Sequence, residues 1–183
     1  KIFGSECPFD GFEILIFKAG GANGISYTLC PYCYNHPPFE DLAIVNQAKS
    51  TNGMSCVQCR HPSCPQSAVN LGMCLCPYCR KGTLVFDPTS RPIWKIVCNR
   101  CDRLIKFAEG ANKVKLLKTK CGTCKARFVS VDYPKNNSPL PNGESNRKGC
   151  LACDPMLNNT TEVVKGRLTK ARMGRRKGGR RKG

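Results

Sequence analysis

The sequence predicts small metal-stabilised domains, mostly β: tandem C4 zinc ribbons followed by a disordered basic tail. Three observations predict it. Fifteen of the 183 residues are cysteine, and twelve of those form Cys-x2-Cys pairs. The leading pairs start at 30, 76 and 121, in steps of 46 and 45 residues, and such even spacing marks an internal repeat. The last nineteen residues carry ten Lys or Arg, five Gly and no acid.

Two thiolates three residues apart on a tight turn point at one cation, whereas a disulfide across so short a loop is strained. Joining successive pairs gives three zinc sites: Cys30 and Cys33 with Cys56 and Cys59, Cys76 and Cys79 with Cys98 and Cys101, and Cys121 and Cys124 with Cys150 and Cys153. The halves are separated by 22, 18 and 25 residues. Between the knuckles lie short strand signals bounded by turn residues, Thr83 to Phe86, then Asp87-Pro-Thr-Ser90, then Trp94 to Val97. The third unit repeats the plan, with Ala126 to Tyr133 as strand and a Pro, Asn and Ser loop from Pro134 to Asn146. The expected organisation is 1–29 as a degenerate ribbon or a linker to an upstream core, 30–75 as the first ribbon, 76–120 as the second with a basic linker, 121–164 as the third, and 165–183 as the tail. Units of this size bury too little apolar surface to fold unaided, while zinc on thiolates supplies ~10 to 16 kcal/mol.

The first unit has surplus ligands. Cys56-Val-Gln-Cys59-Arg-His61-Pro-Ser-Cys64 offers three sulfurs and an imidazole for two positions, so Cys64 competes with Cys56 and Cys59. A cross-braced RING order, implying ubiquitin transfer, would need a cysteine where Ser67 stands and would orphan Cys98 and Cys101. His61 and His36 read as solvated loop residues. Cys7-Pro-Phe-Asp10-Gly11 has the shape of a knuckle with Asp in the second ligand position, so a fourth zinc held by Cys7, Asp10 and sulfurs of the Cys30 and Cys33 region is conceivable.

Charge divides unevenly. Loading three ions onto twelve thiolates lowers the net charge from +18 to about +12, most of it in the tail. Arg167, Lys170, Arg172, Arg175, Arg176, Lys177, Arg180, Arg181 and Lys182 are therefore the expected phosphate contacts. The stretch from Arg103 to Lys120 interleaves six basic with six large apolar side chains and reads equally as a contact surface or a solvated edge. Tyr32, Tyr78, Phe86, Trp94, Phe107 and Phe128 are candidates for stacking on unpaired bases. Of these, Tyr32 and Tyr78 stand between ligands in Cys-Pro-Tyr-Cys turns and are expected to face outward.

Other classes fit less well. No apolar run approaches the ~18 to 20 residues of a membrane span, and no membrane partner is expected. A secreted disulfide protein would carry an export signal and an even cysteine count; this chain begins at Lys1, which points to a piece of a longer protein. A protein-docking module whose tail only localises it remains the alternative from a different class.

Cys7-Pro-Phe-Asp-Gly-Phe-Glu, Ser26-Tyr-Thr-Leu-Cys-Pro-Tyr-Cys-Tyr-Asn-His-Pro-Pro-Phe39, His61-Pro-Ser-Cys64, Phe86-Asp-Pro-Thr-Ser90, Ser138-Pro-Leu-Pro141 and Cys150-Leu-Ala-Cys-Asp-Pro155 together resemble the carboxy-terminal region of the topoisomerase III beta family, type IA enzymes acting on DNA and RNA. The resemblance covers residues 7 to 155. It implies C4 zinc fingers and an RGG-type segment that hold single-stranded DNA or RNA for strand passage by an upstream catalytic core. It also implies a Tudor-domain scaffold protein and the fragile X protein as partners, in nucleus and cytoplasm. The family's tyrosine nucleophile and its acidic cluster for Mg2+ belong to that core, and none of the five tyrosines here sits in a matching context, so no turnover is expected from this chain alone. There is no strict Arg-Gly-Gly, only Lys177-Gly178-Gly179 and doubled arginines, so arginine methylation of RGG sites is not carried over. If metal replaces the oily core, a chelator abolishes cooperative unfolding, as circular dichroism on heating would show; a transition unchanged after chelation contradicts this.

Overall fold

The computed structural model describes residues 2–8, 10–18, 26–37, 39, 54–101 and 103–165. Three antiparallel sheets organise them. The first is built from β1 (Ile2–Glu6), β2 (Glu13–Lys18) and β3 (Ser26–Leu29) in that order, and α1 (Pro31–Asn35) follows it. A 3-10 turn at Cys56–Gln58 and the short α2 (Ala68–Leu71) lead to β4 (Gly72–Leu75), β5 (Thr83–Asp87), β6 (Lys95–Cys98) and β7 (Arg103–Phe107). The remaining elements are β8 (Lys113–Lys120), β9 (Arg127–Asp132), β10 (Asn146–Gly149), α3 (Pro155–Asn159) and β11 (Thr161–Lys165). One sheet runs β10-β9-β8 and the other β11-β7-β6-β5-β4.

The strand signals sit where the sequence puts them. In the β5–β6 hairpin Leu84 faces Cys98 and Phe86 faces Ile96. The connection is shaped by Asp87, whose carboxylate accepts from the Thr89 amide at 2.9 Å and hydroxyl at 2.7 Å, an Asx-type turn. In β8, Lys113 and Lys115 face solvent while Val114 between them is buried. The stretch from Arg103 to Lys120 is thus two strands in two different sheets, joined by a turn at Gly110, whose φ of +88° suits glycine.

Strand pairing crosses the limits that cysteine counting suggests. After the third ribbon the chain returns to the second, with Thr161 opposite Phe107 and Lys165 opposite Arg103. Lys165, where the composition places the start of the tail, is the last residue of β11.

Apolar packing is shared in the same way. One buried cluster runs from Met73 through Phe86, Trp94, Phe107 and Val129 to Leu157, so the second and third ribbons pool the few apolar residues each possesses. Phe86 and Trp94 stack at 5.9 Å, and the Trp94 indole donates to the Ala111 carbonyl at 2.9 Å. Phe86, Trp94 and Phe107 are buried and Phe128 packs against the same cluster, which uses these four stacking candidates for the interior. Among the described residues a second cluster holds six cysteines with Ile14 and Met54, and Phe39 packs against it.

Arg127 ties the third ribbon's sheet to the start of the second's. Its guanidinium donates to the carbonyls of Leu117 (2.8 Å), Asn70 (2.5 Å) and Gly72 (3.3 Å), and burial lowers its pKa. Hydrogen bonds to a charged group contribute more than neutral ones. Arg127→Ala should destabilise the metal-loaded chain by about 2 kcal/mol in urea unfolding; a change within error would show the clamp to be slack.

Candidate metal centres

Each sheet presents one opening knuckle, and the three are built alike. After Cys76-x2-Cys79 the Arg80 amide donates to the Cys76 carbonyl at 2.9 Å, and after Cys121-x2-Cys124 the Lys125 amide donates to the Cys121 carbonyl at 3.0 Å. Both residues take left-handed backbone, φ +52° and +61°. In the first sheet the same turn closes on Cys7-x2-Asp10, where the Gly11 amide donates to the Cys7 carbonyl at 2.8 Å and φ is +72°. The left-handed position is costly for a side chain, and only here is it glycine. Cys7 and Asp10 therefore form an opening knuckle with a carboxylate in its second ligand position.

Three groups of donors follow: Cys7, Asp10, Cys30 and Cys33; Cys76, Cys79, Cys98 and Cys101; Cys121, Cys124, Cys150 and Cys153, with all donor atoms of a group within 4.8 Å of one another. Cys30 and Cys33 close the first ribbon, as Cys98 and Cys101 close the second. The sequence pairing of Cys30 and Cys33 with Cys56 and Cys59 is thus not the arrangement seen; Cys56, Cys59 and Cys64 lie beside this group without belonging to it. The even spacing of 30, 76 and 121 compares one closing knuckle with two opening ones.

The distances suit a tetrahedral thiophilic cation. A bond of ~2.3 Å to each sulfur puts neighbouring sulfurs ~3.8 Å apart, and the structure has 3.9 Å for Cys76 to Cys101, 3.7 Å for Cys79 to Cys98 and 3.3 Å for Cys124 to Cys150. In the first group Cys7 and Cys33 are 4.0 Å apart, and Asp10 lies 3.0 Å from Cys30 and 2.9 Å from Cys33.

Backbone amides prepare the opening knuckles for charge. The Lys81 amide, with that of Gly82, holds the Cys79 thiol down to about 6; the amides of Cys124 and Thr123 do the same for Cys121, also to about 6. The closing knuckles differ. Burial pushes Cys98 up to about 12, and hydrogen bonding with Cys124 and Cys150 pushes Cys153 up to about 12. Burial raises Asp10, but the Cys33 and Cys30 thiols donate to its carboxylate and hold it below its ordinary value overall. Burial also raises Cys59 and Cys64, and neighbouring Cys7 adds to the rise of both.

The closing knuckle of the third ribbon is braced by Asp154, next to Cys153. It caps α3 through the Met156 amide at 3.0 Å and receives Arg147 in a fork at 2.8 and 3.3 Å. Pro155 at the first helical position completes this start.

Tyr32 and Tyr78, the ring-bearing residues between ligands, are 42% and 48% exposed. Tyr32 is flanked by Phe12, with ring centroids 5.7 Å apart, and by His36 at 4.9 Å, the planes within 20° and 29°. Tyr78 lies under the Arg103 guanidinium, 5.2 Å from the ring centre. Sequence reasoning missed Phe12, and it gave His36 no role. Their only signal is position, one just after the opening knuckle and the other just after the closing one. The basic residues from Arg167 to Lys182 lie outside the described residues.

DNA topoisomerase 3-beta of Arabidopsis thaliana is 40% identical to this chain over 179 residues, 92% of the chain and 21% of that protein. DNA topoisomerase 3-beta-1 of Homo sapiens is 42% identical over 158 residues, 86% of the chain and 17% of that protein. The chain is a homologue of the DNA topoisomerases 3-beta. The protein of that name from Drosophila melanogaster is 38% identical over 157 residues. The chain spans about a fifth of the length of these curated relatives. No protein-family model and no solved structure matches it.

Gly82 shows how closely the backbone approaches a ligand. A Cβ there would lie 2.7 Å from both Cys98 Sγ and Arg100 Cβ, too close for either to remain. Gly82→Ala should therefore release about one equivalent of metal per chain, with the other groups still loaded. Native mass spectrometry counts the ions, and unchanged stoichiometry with unchanged chelator resistance would contradict it.

Proposed function

We propose that this chain is the carboxy-terminal zinc-binding region of a type IA topoisomerase of the 3-beta kind, and that it holds single-stranded DNA or RNA for strand passage by a catalytic core elsewhere in the longer protein. Zinc is the ion proposed, because four thiolates, or three with a carboxylate, are donor sets it takes in structural sites. Bound there, it locks each pair of knuckles and so orients what the knuckles display. Mg2+ is assigned to the catalytic core, and turnover is not expected from this chain by itself.

The observation that carries this reading is the pair of knuckle tyrosines. Both sit on turns that carry the metal-ligand candidates, and both are exposed. Aromatic rings on a rigid support stack with unpaired bases regardless of base identity. Phe12 and His36 extend the Tyr32 surface, and Arg103 adds a cation beside Tyr78. Lys165, the residue before the basic segment 166–183, is paired with Arg103, whose guanidinium lies over Tyr78. Phosphate attraction and base stacking would then act on one strand, each raising the effective concentration of the other.

Removing residues 166–183 should flatten the plot of log affinity against log salt by about 0.7 for each phosphate that the segment neutralises. Tyr32→Ala and Tyr78→Ala in the shortened chain should each weaken binding of a single-stranded oligonucleotide by about 1 kcal/mol or more. Fluorescence anisotropy reads both. A shortened chain that does not bind oligonucleotides at all would favour the docking-module reading.

A further inference from the structure

The first ribbon has its four donors, yet three more cysteines line the same small cavity. Cys56, Cys59 and Cys64 are 5%, 7% and 3% exposed. With Cys7, Cys30 and Cys33 they line a single cavity of about 10 Å³. All six are free thiols.

The segment that carries the three extra sulfurs is built to turn them inward. Ser55 and Gln58 cap the 3-10 turn reciprocally, and the Cys56 sulfur accepts from the Cys30 backbone amide. Asn70 bridges the carbonyls of Pro62 at 2.6 Å and Cys64 at 2.8 Å, while the Ala68 amide donates to the Cys59 carbonyl at 2.8 Å. A lone buried cysteine passes for a small apolar residue. Six around one cavity, with Ile14 and Met54 as the other buried members of their cluster among the described residues, do not form an apolar core of ordinary kind.

Donor arithmetic then decides the nuclearity. Two tetrahedral ions require eight ligand positions, and the corner offers seven donor residues, so one of them must serve both. Cys7 is the ribbon sulfur assigned that place: it lies 4.0 Å from Cys33 and lines the same cavity as Cys56, Cys59 and Cys64.

We infer that this corner is a binuclear thiolate centre, with one thiophilic divalent cation on Cys7, Asp10, Cys30 and Cys33, and a second on Cys56, Cys59, Cys64 and the shared Cys7 sulfur. It rests on the metal-binding half of the function proposed above and is independent of nucleic acid. Each thiol that enters coordination releases its proton to solvent, and no redox change is involved. His61, half-buried, with its ring 3.2 Å from the Ser63 hydroxyl, stays outside the centre.

The whole chain loaded with a spin-half cadmium isotope tests it. Four cadmium resonances are expected, two of them split by mutual coupling through the shared sulfur. Cys64→Ser should remove one of the coupled pair and collapse the splitting of the other, and Cys7→Ser should abolish the splitting. Three resonances in the parent chain, or four with none split, overturn the inference. The two resonances of the downstream groups report in each spectrum that the variant is folded. Where they vanish, Cys56→Ser replaces Cys64→Ser, and native mass spectrometry of the zinc-loaded parent gives an independent count, four ions supporting the centre and three excluding it. Three ions with intact oligonucleotide binding would remove the second ion alone and leave the proposed function standing.

Discussion

Everything in this molecule depends on holding several sulfurs within about 4 Å of one another. Without a cation the closing knuckles keep their protons, Cys98 chiefly because it is buried and Cys153 because it hydrogen-bonds with Cys124 and Cys150. A divalent ion reverses that balance, because it favours charge on every donor at once. The opening knuckles are prepared for it by amides aimed at Cys79 and Cys121. Each of these two ribbons is therefore asymmetric, with one turn that offers charge and one that yields it only to metal.

Metal is still not the whole interior. The second and third ribbons are joined by a common apolar cluster, by Arg127 reaching Asn70 and Gly72, and by the return of β11 to β7. The first ribbon differs, since sulfur dominates its buried cluster. The chain thus combines two solutions to the problem of small size: shared hydrophobic surface where two sheets meet and, among the described residues, ligand density beside the first sheet.

Much of this was legible in the sequence. The donors at 76 and 98 and at 121 and 150 lie within reach of each other, and the strands at Thr83, Trp94 and Ala126 fall within a residue or two of their places. The phase of the first ribbon was legible only in the fourth site conceived on Cys7, Asp10 and the Cys30 and Cys33 region, not in the main pairing of Cys30 and Cys33 with Cys56 and Cys59. Asp10 occupies a ligand position without sulfur, so counting cysteines skips the opening knuckle and promotes the closing one. Gly11 was the visible clue, being the residue that takes a left-handed turn without strain where Arg80 and Lys125 must be forced into it. The role of Arg103 to Lys120 was illegible for another reason. Alternation of lysine with valine and leucine identifies a strand but not its partner, and β7 and β8 find theirs in different sheets. Likewise the stack of Phe12, Tyr32 and His36 joins residues from two knuckles, which only the closing of the ribbon brings side by side.

The placement of β11 carries a consequence for synthesis. A ribosome releases β7 about fifty residues before the strand that will cover its edge, with the whole third ribbon emerging in between. Through that interval the second sheet has a bare flank, open to the wrong neighbour. Lys106 on that flank, together with Arg103 beside it, gives the waiting edge a cationic fringe, which discourages a like strand from a second nascent chain until Thr161 arrives.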